Sequence, residues 1–233
     1  MKKKGIALVE RQYLFPFVLI TSLFFLWGFA HAILDVLNKH FQELLTITRT
    51  HSAMIQATMY MGYFIMAIPA GLFINRHGYR RGVVLGLLLY GTGSLLFIPG
   101  QYIASFNMFL FSLFVIGCGL TFLETAANPY VTELGARETA ASRLNFAQSF
   151  NGLGCSFAPI LTGLLLFSDD DKGAGGNVAL PYAVMGVVVL LAALAFVRVP
   201  LPEIPHEEEV DSEGRRVSLW SHKLFVFGLA ALF

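Results

Sequence analysis

Charged side chains are scarce in this sequence. Asp, Glu, Lys and Arg make up 13% of the 233 residues, and the formal net charge at pH 7 is only +1. A balance this close to zero offers no electrostatic argument for binding a polyanion. We therefore expect no nucleic-acid partner.

Cysteine is almost absent, and no motif typical of a metal site is present. The two cysteines, Cys118 and Cys155, lie inside apolar runs and have no CxxC or Cys/His neighbours. We interpret them as small buried residues, so the sequence predicts no metal site and no cofactor. The polar segments are too short to hold a second, soluble domain, which argues against an enzyme.

Apolar residues are abundant and gathered in long uncharged stretches. They make up 56% of the chain, which is typical of membrane proteins. A helix needs ~20 apolar residues to cross the hydrocarbon core. The N-terminus, with its lysines followed by an apolar run, resembles a signal peptide. The apolar run is longer than the ~7–15 apolar residues usual in a signal peptide, so we expect this helix to be retained. Six spans are predicted, over residues 14–38, 52–74, 82–100, 107–132, 145–167 and 180–198.

These spans predict an all-α membrane protein with three parts. Residues 1–199 form a six-helix bundle, residues 200–219 a linker, and residues 220–233 the start of a seventh helix. The linker is rich in Pro, Glu and Ser, a composition typical of flexible segments. Because the seventh run stops without a polar anchor, we expect a fragment of a longer protein with a second six-helix half. A homodimer of six-helix chains is the alternative.

The basic residues predict the orientation of the bundle. With the N-terminus in the cytoplasm, all lysines and arginines fall on the cytoplasmic side except Lys39, Arg49 and Lys172. Such a bias is the positive-inside pattern of multi-pass proteins. We expect an integral protein of the bacterial inner (plasma) membrane, with a cytoplasmic N-terminus and a cytoplasmic linker.

An internal repeat relates the two halves of the bundle. An offset of 89 residues superposes the first span on the fourth, and an offset of 92 superposes the second on the fifth. Spans 1–3 would then recur as spans 4–6, and an odd number of spans forces the copies into inverted topology, as in secondary transporters. The paired residues are Gly28 with Gly117, Asp35 with Glu124, Gln56 with Gln148, Gly62 with Gly154 and Gly71 with Gly163.

Glu124 stands in the middle of the apolar run "GLTFLETAANPY". A charge near the bilayer centre costs ~2.5–3.5 kcal/mol on insertion scales, and a carboxyl group can avoid much of that by binding a proton. Glu124 is therefore predicted to carry protons, the alternative being a permanently neutral group bonded to a neighbouring helix. Asp35 is its repeat partner but lies nearer the outer end, where it can equally be interfacial. His31, one turn before Asp35, forms either a proton relay with it or a simple polar contact.

A stripe of amides accompanies these acids. Asn128 follows Glu124 by one turn, and the fifth span carries Gln148 and Asn151, three residues apart. Amides and carboxylates match the donor and acceptor character of sugar hydroxyls. The same amides can instead bond one membrane helix to another. The aromatic candidates for stacking on a sugar ring are Trp27, Tyr60, Tyr63 and Phe122.

The loop between the second and third spans, "GLFINRHGYRRG", carries Arg76, Gly78, Arg80 and Arg81. It resembles a loop of the major facilitator superfamily, in which an Asp usually stands where this chain has Asn75. Its arginines can bond the carboxyl ends of helices and bias a cytoplasmic gate. They can also serve only as topogenic charges.

Several stretches together resemble one branch of that superfamily, the fucose–proton symporters. They are "SLFFLWGF" leading to Asp35, "GYFIMAIPAG", "LETAANPYVTELG" and "RLNFAQSFNGLG". The resemblance implies a twelve-helix transporter with two halves around a central cavity. It also implies that Asp35 and Glu124 couple protons and that Gln148 and Asn151 face the cavity.

The function implied is proton-coupled import of L-fucose or a related hexose by alternating access. The family often has asparagines just before the first-helix acid, where this chain has His31 to Leu34, so glucose, galactose or another hexose stays open. A uniporter, a drug–proton antiporter and a non-transporting sugar sensor are the alternatives. The partners expected are the sugar, protons and the lipid bilayer.

Overall fold

The computed structural model describes residues 8–44, 49–103, 105–166, 179–199 and 227. Every secondary-structure element in these ranges is a helix. No strand occurs within those ranges, as expected from the apolar runs. The predicted linker and the predicted seventh helix lie outside the described residues, apart from Phe227. Seven α-helices follow in order: α1 Leu14–Leu44, α2 Arg49–His77, α3 Tyr79–Leu95, α4 Phe97–Ile103, α5 Phe106–Glu133, α6 Ala140–Leu166 and α7 Ala179–Arg198.

The six predicted spans all appear, and the third is divided. A turn at Leu96 separates α3 from α4. Pro99 lies three residues beyond it, and proline has no amide hydrogen to bond the preceding turn and crowds the carbonyl there. The break is therefore local, and α3 and α4 together form one long apolar segment over Tyr79–Ile103.

Among the described residues, five segments are long and apolar enough to cross a membrane. They comprise α1, α2, α3 with α4, α5 and α7. The first half of α6 carries four polar side chains, Asn145, Gln148, Ser149 and Asn151. At 27 residues and ~1.5 Å per residue, α6 is still about 40 Å long.

Contacts along the helices show their directions. Phe17 stacks on Phe146 at 5.8 Å between ring centroids, and Phe25 meets Phe157 at 6.2 Å, so α1 and α6 run parallel. On the other side of the bundle, α2 and α5 also run parallel, since Met59 meets Gly117 and Phe73 meets Phe122. The pairing of α1 with α6 and of α5 with α2 agrees with the inverted repeat predicted from the sequence.

Glycines bring the repeat-related helices into backbone contact. A Cβ atom on Gly28 would overlap the carbonyl oxygen of Asn151, and one on Gly117 would overlap the carbonyl oxygen of Met59. Both pairs are related by the repeat, because Gly28 and Gly117 are 89 residues apart and Met59 and Asn151 are 92 apart. Small residues at such crossings allow close van der Waals packing where lipid supplies no hydrophobic driving force.

A second symmetric pair of contacts repeats this pattern. Gly62 of α2 lies against the Phe114 carbonyl oxygen of α5, and Gly154 of α6 lies against the Phe25 carbonyl oxygen of α1. The same offsets relate these four residues. The crossing of α1 with α6 and the crossing of α5 with α2 are therefore copies of one structural unit, and the polar residues singled out above are arranged around them.

Candidate functional site

An aromatic cluster joins α1 to α2 at the level of the glycine crossings. The Trp27 indole Nε1 donates a hydrogen bond of 3.0 Å to the Tyr63 hydroxyl. His31 Nδ1 lies 3.2 Å from the Trp27 carbonyl oxygen, and its ring centroid lies 5.9 Å from that of Tyr63. All three side chains are partly buried. Because the Tyr63 oxygen already accepts from Trp27, its own proton is available to a further acceptor.

Glu124 lies within α5. The close crossing of α2 and α5 brings its carboxyl group near enough to interact electrostatically with the Tyr63 hydroxyl. The side chain is half-buried, and it makes no hydrogen bond or ion pair with any described residue. A carboxyl group in a membrane span that lacks a fixed partner is suited to taking up and releasing a proton.

Asp35 lies farther along α1 in a different setting. Its side chain is exposed, and Oδ1 accepts a hydrogen bond of 2.7 Å from Gln56 Nε2 on α2. It also interacts electrostatically with His31, one turn earlier. No contact among the described residues joins Asp35 directly to Glu124. The link from Asp35 to Gln56 did not follow from the sequence, where Gln56 entered only as the repeat partner of Gln148.

The amide stripe divides into two parts. Gln148 Nε2 lies 3.4 Å from Asn128 Oδ1, which connects α6 to α5 one turn beyond Glu124. Asn151 turns the other way, because its Nδ2 donates a 3.3 Å hydrogen bond to the Phe24 carbonyl oxygen of α1. The geometry of Asn151 matches interhelical packing against α1, whereas Gln148 bonds Asn128, which follows Glu124 by one helical turn.

The α2–α3 connection contacts the carboxyl end of α7 through Arg80. Gly78 has φ of 86°, in the region that glycine adopts readily, and separates the two helices. Arg80 then reaches α7, where Nε donates to the Phe196 carbonyl oxygen at 3.2 Å and Nη2 donates to that of Val197. These carbonyls have no partner within their own helix, so Arg80 caps α7. Arg76 and Arg81 are exposed.

Arg143 has a structural role that the sequence analysis missed, since there it counted only as a topogenic charge. Its side chain is fully buried at the start of α6. The sequence shows only a basic residue near the start of the fifth predicted span. That position alone does not reveal which groups Arg143 bonds. The guanidinium group donates to the carbonyl oxygens of Val131 (3.0 Å), Thr132 (2.5 Å), Ala136 (3.0 Å) and Leu8 (3.4 Å) and to Thr139 Oγ1 (2.6 Å).

Comparison with protein families gives one extended match. The sequence model of the Major Facilitator Superfamily matches residues 17–233. A glucose/galactose transporter of Brucella abortus is 36% identical over 228 residues, which is 96% of this chain and 55% of the relative. An L-fucose-proton symporter of Haemophilus influenzae is 45% identical over 172 residues, covering 72% of this chain and 40% of the relative.

Solved structures agree with this family. The crystal structure of the E. coli fucose:proton symporter FucP shares 32% identity and superposes with a TM-score of 0.69, covering 96% of this chain and 57% of that one. The E. coli xylose transporter XylE, in an inward open conformation, shares the fold at 16% identity and a TM-score of 0.67. The chain spans about half the length of the curated relatives it matches. These relatives are transporters by name, in agreement with the expectation that this chain is not an enzyme.

Proposed function

Because this chain belongs to the Major Facilitator Superfamily, we propose that it forms the first six-helix half of a proton-coupled hexose importer. Its place would be the inner membrane of a bacterium, with the N-terminus in the cytoplasm. A second half, outside this sequence, would complete the central cavity. Relatives named for L-fucose, glucose and galactose support a hexose substrate without selecting one.

The observation that carries the proposal is the setting of Glu124. This carboxyl group is half-buried in a membrane helix, lacks a fixed partner among the described residues and interacts electrostatically with Tyr63. A group in that setting is neutral when its surroundings are dry and charged when water reaches it. Glu124 therefore fits the role of the proton carrier, and Asp35, exposed and bonded to Gln56, fits a second carboxyl group at the outer mouth.

Sugar recognition would come from the groups around this acid. Asn128 and Gln148 offer an amide pair on α5 and α6, and Trp27 with Tyr63 offers aromatic surface and a hydroxyl on α1 and α2. Amides and hydroxyls pair with the alternating donors and acceptors of a polyol, while an aromatic face covers its C–H side. Asn151, which bonds the backbone of α1, would contribute by fixing the shape of the site.

Coupling then follows from charge. In the outward-open state Glu124 takes up a proton and the sugar binds. The two halves rock about the site, and both ligands leave on the cytoplasmic side. Because a neutral carboxyl group avoids much of the cost of a buried charge, the occluded state is reached most easily when Glu124 is protonated.

The first test is a record of external pH. Cells that express the full-length protein would be energy-depleted, lightly buffered and given a panel of hexoses and deoxyhexoses. We expect alkalinisation with one or a few of these sugars, and no alkalinisation in the Glu124→Gln variant, which should still exchange labelled sugar across the membrane. If Glu124→Gln concentrated sugar against a gradient, Glu124 would not be the coupling group.

A sugar uniporter is the second candidate, because the Brucella relative is named for its sugars alone. It predicts entry of labelled sugar without any change in external pH, in the wild type as well as in the variant. The same recording therefore separates the two candidates, since only symport joins the two signals.

A further inference from the structure

A groove opens between α2, α3 and α7. Its volume is about 450 Å³. The groove combines two arginines with an apolar wall, and it lies at the end of the bundle where α3 begins and α7 ends. The residues that matter here are Phe73, Arg80, Arg81, Val84, Leu88 and Val197.

The mouth of the groove is basic. Arg80 is held in place by the carbonyl oxygens of Phe196 and Val197. Arg81 is exposed and makes no hydrogen bond or ion pair with any described residue. Asn75, at the end of α2, contributes no negative charge. The carboxylate at the end of α5, Glu133, interacts electrostatically with Tyr79 and Arg143.

The wall of the groove is apolar and leads into the membrane. Arg81, Val84 and Leu88 are three and four residues apart on α3, so they share one helix face. From Arg81 to Leu88 that face rises by about 10 Å along the helix axis. Leu88 is 45% exposed and Val197 is 51% exposed, while Phe73 is anchored by its edge contact with Phe122 at 5.6 Å.

We propose that this groove binds an anionic glycerophospholipid. The phosphate would lie on Arg81, and one acyl chain would follow Val84 and Leu88 toward the membrane interior. The Arg81 guanidinium group, without a partner among the described residues, provides the forked donors that match a phosphate. Basic pockets between membrane helices on the cytoplasmic side are suited to anionic head groups, and the positive-inside pattern places this end there. The lipid would bridge α3 and α7 where Arg80 already caps the latter.

The test uses the purified full-length protein in detergent, with phosphatidylglycerol or phosphatidylcholine of matched chain length. Native mass spectrometry would count the lipid molecules retained. We expect the wild type to retain one phosphatidylglycerol with at least 5-fold preference over phosphatidylcholine. The Arg81→Gln variant should lose most of that preference. The Leu88→Trp variant, whose larger side chain occupies the apolar part of the groove, should retain less phosphatidylglycerol.

Arg11→Gln is the matched control, because Arg11 is an exposed arginine near the start of α1 and outside the groove. It should bind lipid as the wild type does. Equal losses in Arg11→Gln and Arg81→Gln would indicate diffuse surface charge and overturn the proposal. If inorganic phosphate, added at the same concentration as the lipid, displaced phosphatidylglycerol, the groove would be a site for free phosphate. That result would also overturn the proposal. If the Arg81→Gln variant fails to fold, the Leu88→Trp variant provides the test. Unchanged retention of phosphatidylglycerol by Leu88→Trp would contradict the proposal.

Discussion

At the scale of single residues, the polar groups in this bundle differ in how they are satisfied. Arg143 is fully buried yet bonded on every side, as a buried charge must be. Glu124 lacks any such partner among the described residues. A group with many fixed bonds holds a structure, whereas a group without them can change its protonation state. The contrast supports a structural role for Arg143 and a functional one for Glu124.

The hydrogen bond from Trp27 to Tyr63 leads to a prediction. Tyr63→Phe removes the acceptor of a partly buried indole N–H, which costs about 1–3 kcal/mol when the donor stays unsatisfied. We expect a lower melting temperature of the full-length protein and a weaker apparent affinity for the transported sugar, both measured in purified material.

Tyr60→Phe provides the control for that variant. Tyr60 lies on the same helix with its ring centroid 6.1 Å from that of Tyr63, but its side chain is 53% exposed. Its loss should leave stability within about 0.5 kcal/mol of the wild type, as for most exposed substitutions. Equal effects in the two variants would show that the bond to Trp27 is unimportant.

At the scale of helices, the packing depends on glycines placed at the crossings. The crossing of α1 with α6 needs Gly28 and Gly154, and that of α2 with α5 needs Gly62 and Gly117. At each of the four, a backbone carbonyl of the facing helix occupies the space of a side chain. Because backbone cannot move aside as a flexible side chain does, these positions should tolerate no larger residue.

Alanine substitution tests this directly. Gly28→Ala and Gly117→Ala should each force the helices apart and lower stability by about 1–3 kcal/mol, in the range of overpacked cores. Gly71→Ala and Gly163→Ala are matched controls, since this repeat pair has nothing within 4 Å of a built Cβ. Those two should be neutral or stabilising by up to about 1 kcal/mol, because alanine favours a helix more than glycine does. Thermal unfolding in detergent would measure these changes. Equal melting temperatures for all four variants would show that the glycines at the crossings are not specifically required.

At the scale of the whole molecule, the end of the bundle with Arg80 and Arg143 gathers several helix termini. Tyr79 at the start of α3 contacts Tyr130 near the end of α5, at 5.8 Å between ring centroids. Arg143 connects the start of α6 to residues just before α1 and at the end of α5. All these termini share one side of the membrane, and the basic residues predict that this side is the cytoplasm.

Cysteine labelling of intact cells would test the orientation. In a variant without Cys118 and Cys155, Asn107→Cys at the start of α5 should react with a membrane-impermeant maleimide from outside. Glu138→Cys, between α5 and α6, should react only after permeabilisation. Both positions are exposed, so a difference between them reports sidedness rather than burial. The reverse pattern would show that the predicted orientation is wrong.

The sequence alone determined the class of this protein, its six spans and its repeat. Those features depend on local composition, because about twenty apolar residues suffice to predict a membrane helix, and a residue such as Gly28 or Gly117 keeps its place in both copies. The division at Leu96 was missed, since one proline in an apolar run does not by itself show whether the helix bends or breaks.

Only the tertiary structure decided which polar groups meet. Gln148 and Asn151 look alike in the sequence, yet the first bonds Asn128 across to α5 and the second bonds the backbone of α1. Likewise Arg80 and Arg143 cap helix ends, and Tyr63 accepts a hydrogen bond from Trp27 and interacts electrostatically with Glu124. Such pairings depend on the rotation of each helix about its own axis and on how closely two helices approach. Those quantities are set by packing between segments far apart in the chain, which local composition does not encode.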